Sequence, residues 1–263
     1  HAASALGALG HPQRAGFALQ AVFESTDDVV VRGEVLHSLL KFGMPAWHDL
    51  RGEVVVQILD AQVEKLCGSD MAEIVDAHLN LTFFEERAIP RLLSLIESDE
   101  RAKPTSNLNI LYPGGGELVW CFSVAYHNVH YRLNWIGARA GWTLEAITFE
   151  DFGFRDVKGD SNEFADAARK AKRWWADNHA EWNRSRGLID AIGSGQADRT
   201  IEALSWLANG RTACSGLTPE LFSDRITPLL EQLAFSVDET VREQAQTILT
   251  MSPAIRIQRC VYR

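Results

Sequence analysis

The sequence predicts an all-α fold, an α–α superhelix of helical hairpins with an irregular, loop-rich middle. Three observations carry that prediction. Apolar residues recur three or four apart over stretches of about 10–14 residues, the common length of a helix. Short turns of Gly, Pro, Ser and Asp separate these stretches. Period-two runs are scarce, and Trp120 to Tyr126 is the stretch open to reading as a strand.

The helices follow in order. Thr26, Asp27 and Asp28 offer caps for a helix from Val29 to Phe42, with Val31, Val35, Leu36, Leu39 and Leu40 three or four apart; Gly43 and Pro45 stop it. Glu53 to Leu66 comes next, closed by Cys67-Gly68-Ser69-Asp70, then Met71 to Leu81 and Glu85 to Ile96. Toward the C-terminus, Asp198 to Leu207, Phe222 to Phe235 and Glu239 to Met251 repeat the pattern. The chain has 263 residues, 46% hydrophobic and 23% charged, the ordinary globular mixture. It reads as one domain over 1–263 with an atypical insertion at 102–160.

Several helices share a local signature. Asp28-Val29-Val30-Val31-Arg32 leads into Val35 to Leu40, Asp238-Glu239-Thr240-Val241-Arg242 leads into Ala245 to Leu249, and Asp198-Arg199 leads into Glu202 to Leu207. This resembles the HEAT-repeat family, in which an Asp and a Val-Arg pair open the second helix of each hairpin. Ile226 to Leu233, with Pro228 near its start, resembles the first helix of such a unit. Arg199 and Arg242 stand 43 residues apart, inside the family's period of about 40–47. The resemblance covers residues 2–100 and 196–252. It implies a helical-hairpin solenoid in which Arg32 and Arg242 are structural, each bonding carbonyls of a neighbouring helix.

Residues 102–160 break the rhythm. Tyr112-Pro113-Gly114-Gly115-Gly116 marks a turn; without Gly-Lys-Ser/Thr or Rossmann spacing it is not read as a phosphate loop. A long helix is expected from Glu117 to Arg139, with Leu118, Phe122, Ala125, Val129, Leu133 and Ile136 inside a sector about 80° wide. Its opposite side carries Trp120, His127, Tyr131 and Asn134, with His130, Arg132 and Trp135 at the edges. Aromatic, His and Arg residues together suit partner binding, so Trp120, His127, His130, Tyr131 and Arg132 are the candidate contact residues; packing against a neighbouring helix or loop is the other reading. His127 and His130 have i, i+3 spacing, but no carboxylate or Cys accompanies them, and no metal site is assigned. Leu144 to Asp160 reads as a loop whose Phe149, Phe152 and Phe154 clamp it onto the helices.

Ser161 to Arg184 then reads as one amphipathic helix. Phe164, Ala168, Ala171, Trp175 and Trp182 line one face, while Arg169, Lys170, Lys172 and Arg173 form a solvated basic patch. On that register Trp175 is expected to be buried and structural, and Trp174 less so. The stretch Ala168 to His179 resembles a Trp-Trp helix of bacterial HEAT-like proteins, which follows an Asp-Phe-Gly-type loop as it does here; the resemblance implies a folded scaffold with no shared catalytic residues.

Charge bounds the function. Residues 1–106 carry 9 basic against 16 acidic side chains, most of the net charge of −9. Such a chain is a poor general binder of duplex nucleic acid, which attracts proteins through Lys and Arg. No uncharged apolar run approaches the roughly 18 residues of a membrane span. Cys67, Cys121, Cys214 and Cys260 form no CxxC pair and read as buried free thiols. The chain begins at His1, as a processed or truncated product does, and the compartment stays open with the cytoplasm favoured. No catalytic motif assembles, and no cofactor is called for. The reading is a non-enzymatic, acidic protein-binding scaffold, one version being an inhibitor or immunity-type protein that holds a basic partner. The alternative is a helical-repeat enzyme acting on nucleic acid in the manner of a DNA glycosylase.

Overall fold

A computed structural model of the chain describes residues 12–28, 31–32, 35, 38, 52–98, 100, 102, 135–154, 161–209 and 217–251. The described elements are helical, with no strand among them, so the all-α class read from periodicity holds there. The helices are α1 (Pro12–Ser25), α2 (Gly52–Cys67), α3 (Met71–Phe83), α4 (Ile89–Leu95), α5 (Ile136–Thr148), α6 (Ser161–Asn178), α7 (Arg184–Ile192), α8 (Ala197–Asn209), α9 (Thr227–Leu233) and α10 (Glu239–Thr250). Two compact units form: one is Gln62–Gly187, and the other combines the chain up to Ala61 with the chain from Leu188. Both borders fall inside helices, α2 and α7, which is why no Gly- or Pro-rich linker marks them.

In the unit Gln62–Gly187, Gly68 and Ser69 end α2, and Asp70 restarts the chain by accepting the N–H groups of Ala72 and Glu73 at 2.8 and 3.1 Å. The expected Glu85 to Ile96 helix divides into a 3-10 turn, Glu85–Arg87, and α4. Helix α5 packs against α3 and α4, and every one of its residues is buried. A helix enclosed on all sides has no polar stripe to reveal it, and here the sequence reading is corrected. Trp135 is extended, at φ −101° and ψ 115°, so no helix runs through it to Arg139; Leu144 to Thr148, expected as loop, completes α5 instead. Small residues make this burial feasible. A Cβ on Gly141 would lie 2.5 Å from the Phe154 ring, and one on Gly137 would meet the Ser98 and Ile96 carbonyls at 3.1 and 3.2 Å.

The long helix expected from Ser161 to Arg184 is also divided. It stops at Asn178, and Asn183 opens α7 by accepting the Arg186 N–H at 2.9 Å. Phe164, Ala168 and Ala171 are buried as the apolar stripe predicts, and Trp182 is buried too, although it lies beyond the end of α6. Trp175 is not: it is half-buried like Trp174, and the two rings stack with centroids 6.1 Å apart and share Trp182 as an edge-on neighbour.

In the other unit, α10 packs against α8 and α9. A π turn, Phe222–Ile226, precedes α9, and the N–H and hydroxyl of Thr227 both reach Phe222 O. Pro228 explains the wider turn, since it has no N–H for the Asp224 carbonyl four residues before it and its ring crowds that carbonyl. Residues 31, 32, 35 and 38 are helical, with Val35 and Ser38 buried.

Candidate functional site

The deepest ionisable side chains of Gln62–Gly187 all serve the backbone. Arg139, 1% exposed, donates from Nη1 to Leu66 O at 2.8 Å and Gly68 O at 2.7 Å, and from Nη2 to Ala102 O. It thereby caps the C-terminal end of α2, where helical carbonyls have no partner of their own. Arg184 does the same for two helices, reaching Thr82 O near the end of α3 and Ala146 O of α5, the latter at 3.0 Å. Its guanidinium lies 5.0 Å from the centroid of the Phe149 ring. Phe149 caps α5 in the left-handed region at φ 58°.

Glu145 is the acidic counterpart. Its Oε1 accepts the N–H groups of Phe152, Gly153 and Phe154 at 3.0, 3.1 and 2.9 Å. Those bonds curl the loop over its own helix, and Gly153 supplies the positive φ of 94° that the curl requires. The expected aromatic clamp is present: Phe149, Phe152 and Phe154 are buried, Phe152 against Trp174 at 5.6 Å and Phe154 against Phe164 at 5.3 Å. The Thr143 hydroxyl donates to Arg139 O at 2.8 Å and shares a hydrogen bond with His78 Nδ1 at 2.8 Å.

The basic side of α6 is solvated as expected. Arg169, Lys170 and Arg173 are exposed, Lys172 is half-buried, and ion pairs join Arg169 to Asp166 and Lys172 to Glu97. A groove of about 360 Å³ lies there, and Trp135, Phe164, Ala168, Lys172 and Glu97 are among the residues that line it.

The two Val-Arg openings share one local geometry. Asp28 Oδ1 accepts the Val31 N–H at 3.2 Å, and Asp238 Oδ1 accepts the Val241 N–H at 3.0 Å. Arg32 then reaches back to Phe23 O at 3.4 Å and Asp27 Oδ1 at 3.3 Å, while Arg242 reaches Ser236 O at 2.9 Å. Arg32 therefore ties α1 and the turn after it to its own helix, whereas Arg242 ties only the preceding turn.

Trp120, His127, His130, Tyr131 and Arg132 lie outside the described residues, as do Trp120 to Tyr126 as a strand reading and Cys121, Cys214 and Cys260. Cys67 is a free, half-buried thiol. Burial pushes its pKa up; the Arg139 guanidinium pulls the other way, and Glu100 and Glu64 add to the rise. Among the described residues, no group of three or more His, Cys, Asp and Glu side chains is placed to hold a metal ion. No helix among them is long and apolar enough to cross a membrane. Sequence reasoning missed Arg139, Glu145 and Arg184. Their backbone partners include residues 73, 9 and 102 positions away, and no local pattern announces such bonds.

No protein-family model, no curated protein and no solved structure matches this chain.

Proposed function

We propose that this chain is a non-enzymatic protein-binding scaffold of the HEAT-like α-solenoid kind, and that its partner is a basic protein; an inhibitor or immunity-type role is one form of this. The observation that carries the reading is where its charge stands. In Gln62–Gly187, Glu64, Asp70, Glu73, Glu97 and Glu100 are exposed, and in the other unit Glu24, Asp27, Asp28 and Asp60 are exposed as well. The buried Arg139, Glu145 and Arg184, by contrast, are engaged with backbone groups. Exposed acid on a helical framework steers a basic partner and raises its association rate at low salt. The solenoid part of the proposal draws support from the shared Asp-Val-Arg geometry at Asp28–Arg32 and Asp238–Arg242 and from the packing of α9 on α10.

Affinity capture from the native organism, followed by mass spectrometry, tests the reading. A stoichiometric basic protein whose association slows as salt is raised is the expected result. Recovery of no stoichiometric protein, or of one whose binding is indifferent to salt, would count against it.

A further inference from the structure

Phe235 and Val237 are 87% and 101% exposed, the most exposed large hydrophobic side chains among the described residues. They flank Ser236 in the turn between α9 and α10. Leaving a phenyl ring and an isopropyl group in water forfeits the stabilisation that burial would give each of them.

The turn that holds them out is tied from three directions. Within it, the N–H groups of Phe235 and Ser236 bond Gln232 O and Leu233 O at 3.2 and 2.9 Å. From α10, Arg242 Nη1 donates to Ser236 O at 2.9 Å and Gln246 Nε2 to Ala234 O at 2.9 Å. Ser236 Oγ accepts the Asp238 N–H at 3.2 Å, and Asp238 in turn caps α10. The backbone carrying the two side chains is therefore fixed before any partner arrives, and a fixed anchor loses little entropy on binding.

The surroundings give the partner's sign. Glu231 stands one helical turn before Phe235, Glu239 opens α10 two residues after Val237, and Glu243 follows one turn along the same helix. All three are exposed. The cation in this stretch, Arg242, is half-buried with its guanidinium on Ser236 O.

We propose that the Phe235–Val237 turn is a docking knob for a protein surface that offers an apolar pocket bordered by Lys and Arg. The proposal rests on the protein-binding reading and deepens it by naming the contact and its chemistry. Phe235 fills the pocket, Val237 seals its edge, and Glu231, Glu239 and Glu243 meet the basic rim. This is the arrangement of an apolar anchor inside a polar border.

The test uses the full chain, immobilised, and a phage-displayed library of random peptides as the probe. Peptides pairing an aromatic or Leu anchor with Lys or Arg are the expected recoveries. Phe235→Ser with Val237→Ser should weaken them at least about tenfold, the loss of one strong contact. Because both side chains stand in solvent, the melting temperature should stay where it is, so lost binding is not lost folding. Glu231→Lys with Glu239→Lys should weaken the same peptides and flatten their salt dependence. Recovered peptides that bind the Ser variant unchanged would overturn the knob while leaving the protein-binding reading standing. Peptides that need Phe235 but carry no Lys or Arg would overturn the basic rim. A selection that enriches nothing would overturn the proposal, whereas the protein-binding reading falls only if affinity capture also recovers no partner.

Discussion

Glu145 Oε1 accepts the backbone N–H of Phe154 at 2.9 Å, so a carboxylate on the third turn of a buried helix holds the loop that follows that helix. Two further N–H groups share the oxygen. Glu145→Ala should therefore lower stability by about 3 kcal/mol or more, since hydrogen bonds to charged groups are worth about 1.5–3 each. Glu145→Gln, which keeps an acceptor oxygen, should lose less than half as much. Urea unfolding of the two variants checks this, and equal losses would show that a neutral amide oxygen of the same size cannot stand in for the carboxylate.

Arg184 joins α7 to the ends of α3 and α5 through carbonyls that are otherwise shut away from water. Arg184→Met should cost about 3 kcal/mol, because Thr82 O and Ala146 O lose a donor they share. Arg184→Lys should recover little of it, as one ammonium cannot reproduce the guanidinium fork. Thermal melting compares the three chains.

Replacing a helical Gly with Ala ordinarily stabilises by about 1 kcal/mol. At Gly141 the sign should reverse. The new methyl would sit 2.5 Å from the Phe154 ring, and overpacking of that kind costs about 1–3 kcal/mol. Gly141→Ala should lower the melting temperature, and adding Phe154→Leu should restore part of the loss. A raised melting temperature for the single variant would mean the ring does not rest on Gly141.

The two Val-Arg positions should differ in strength. Arg242 makes one good bond, to Ser236 O, from a half-buried site, and Arg242→Ala should cost about 1–2 kcal/mol. Arg32 makes a longer bond and pairs with an Asp27 that is fully in solvent, so Arg32→Ala should cost less than about 1 kcal/mol. Denaturant melts of both variants order them, and the reverse order would show that bond length and exposure do not set the loss.

Cys67 carries a pH dependence whose sign is fixed by its raised pKa. A thiol harder to ionise in the folded chain than in the unfolded one contributes stability that is fully present below its unfolded pKa. That contribution is lost as pH rises through the folded value. Cys67→Ser should accordingly flatten the alkaline fall in stability. At neutral pH, peptide mapping after iodoacetamide treatment should show Cys67 labelled more slowly in the folded chain than in the urea-unfolded chain.

Where a helix has one wet side, its sequence says so. Met71 to Leu81, Asp198 to Leu207 and Glu239 to Met251 were all legible from apolar spacing, and each observed helix lies within two residues of the expected ends. Asp70 and Asp238 as caps were legible too, because capping is a bond between neighbours in sequence. The candidate contact helix from Glu117 rests on the same kind of pattern, but its residues before Trp135 lie outside those described.

Local spacing and bonds between sequence neighbours are enough to specify the all-α class of the described helices, the solvent face of α6 and the turns at Gly68–Asp70 and Phe235–Asp238. Only the tertiary structure decided that Ile136–Thr148 is a helix enclosed on every side, and that Arg139, Glu145 and Arg184 complete backbone ends far along the chain. It alone decided that Phe235 and Val237 are left in water. The physical reason is the same in each case. Burial and long-range capping depend on what the rest of the fold places opposite a residue, and a residue's neighbours in sequence carry no record of that.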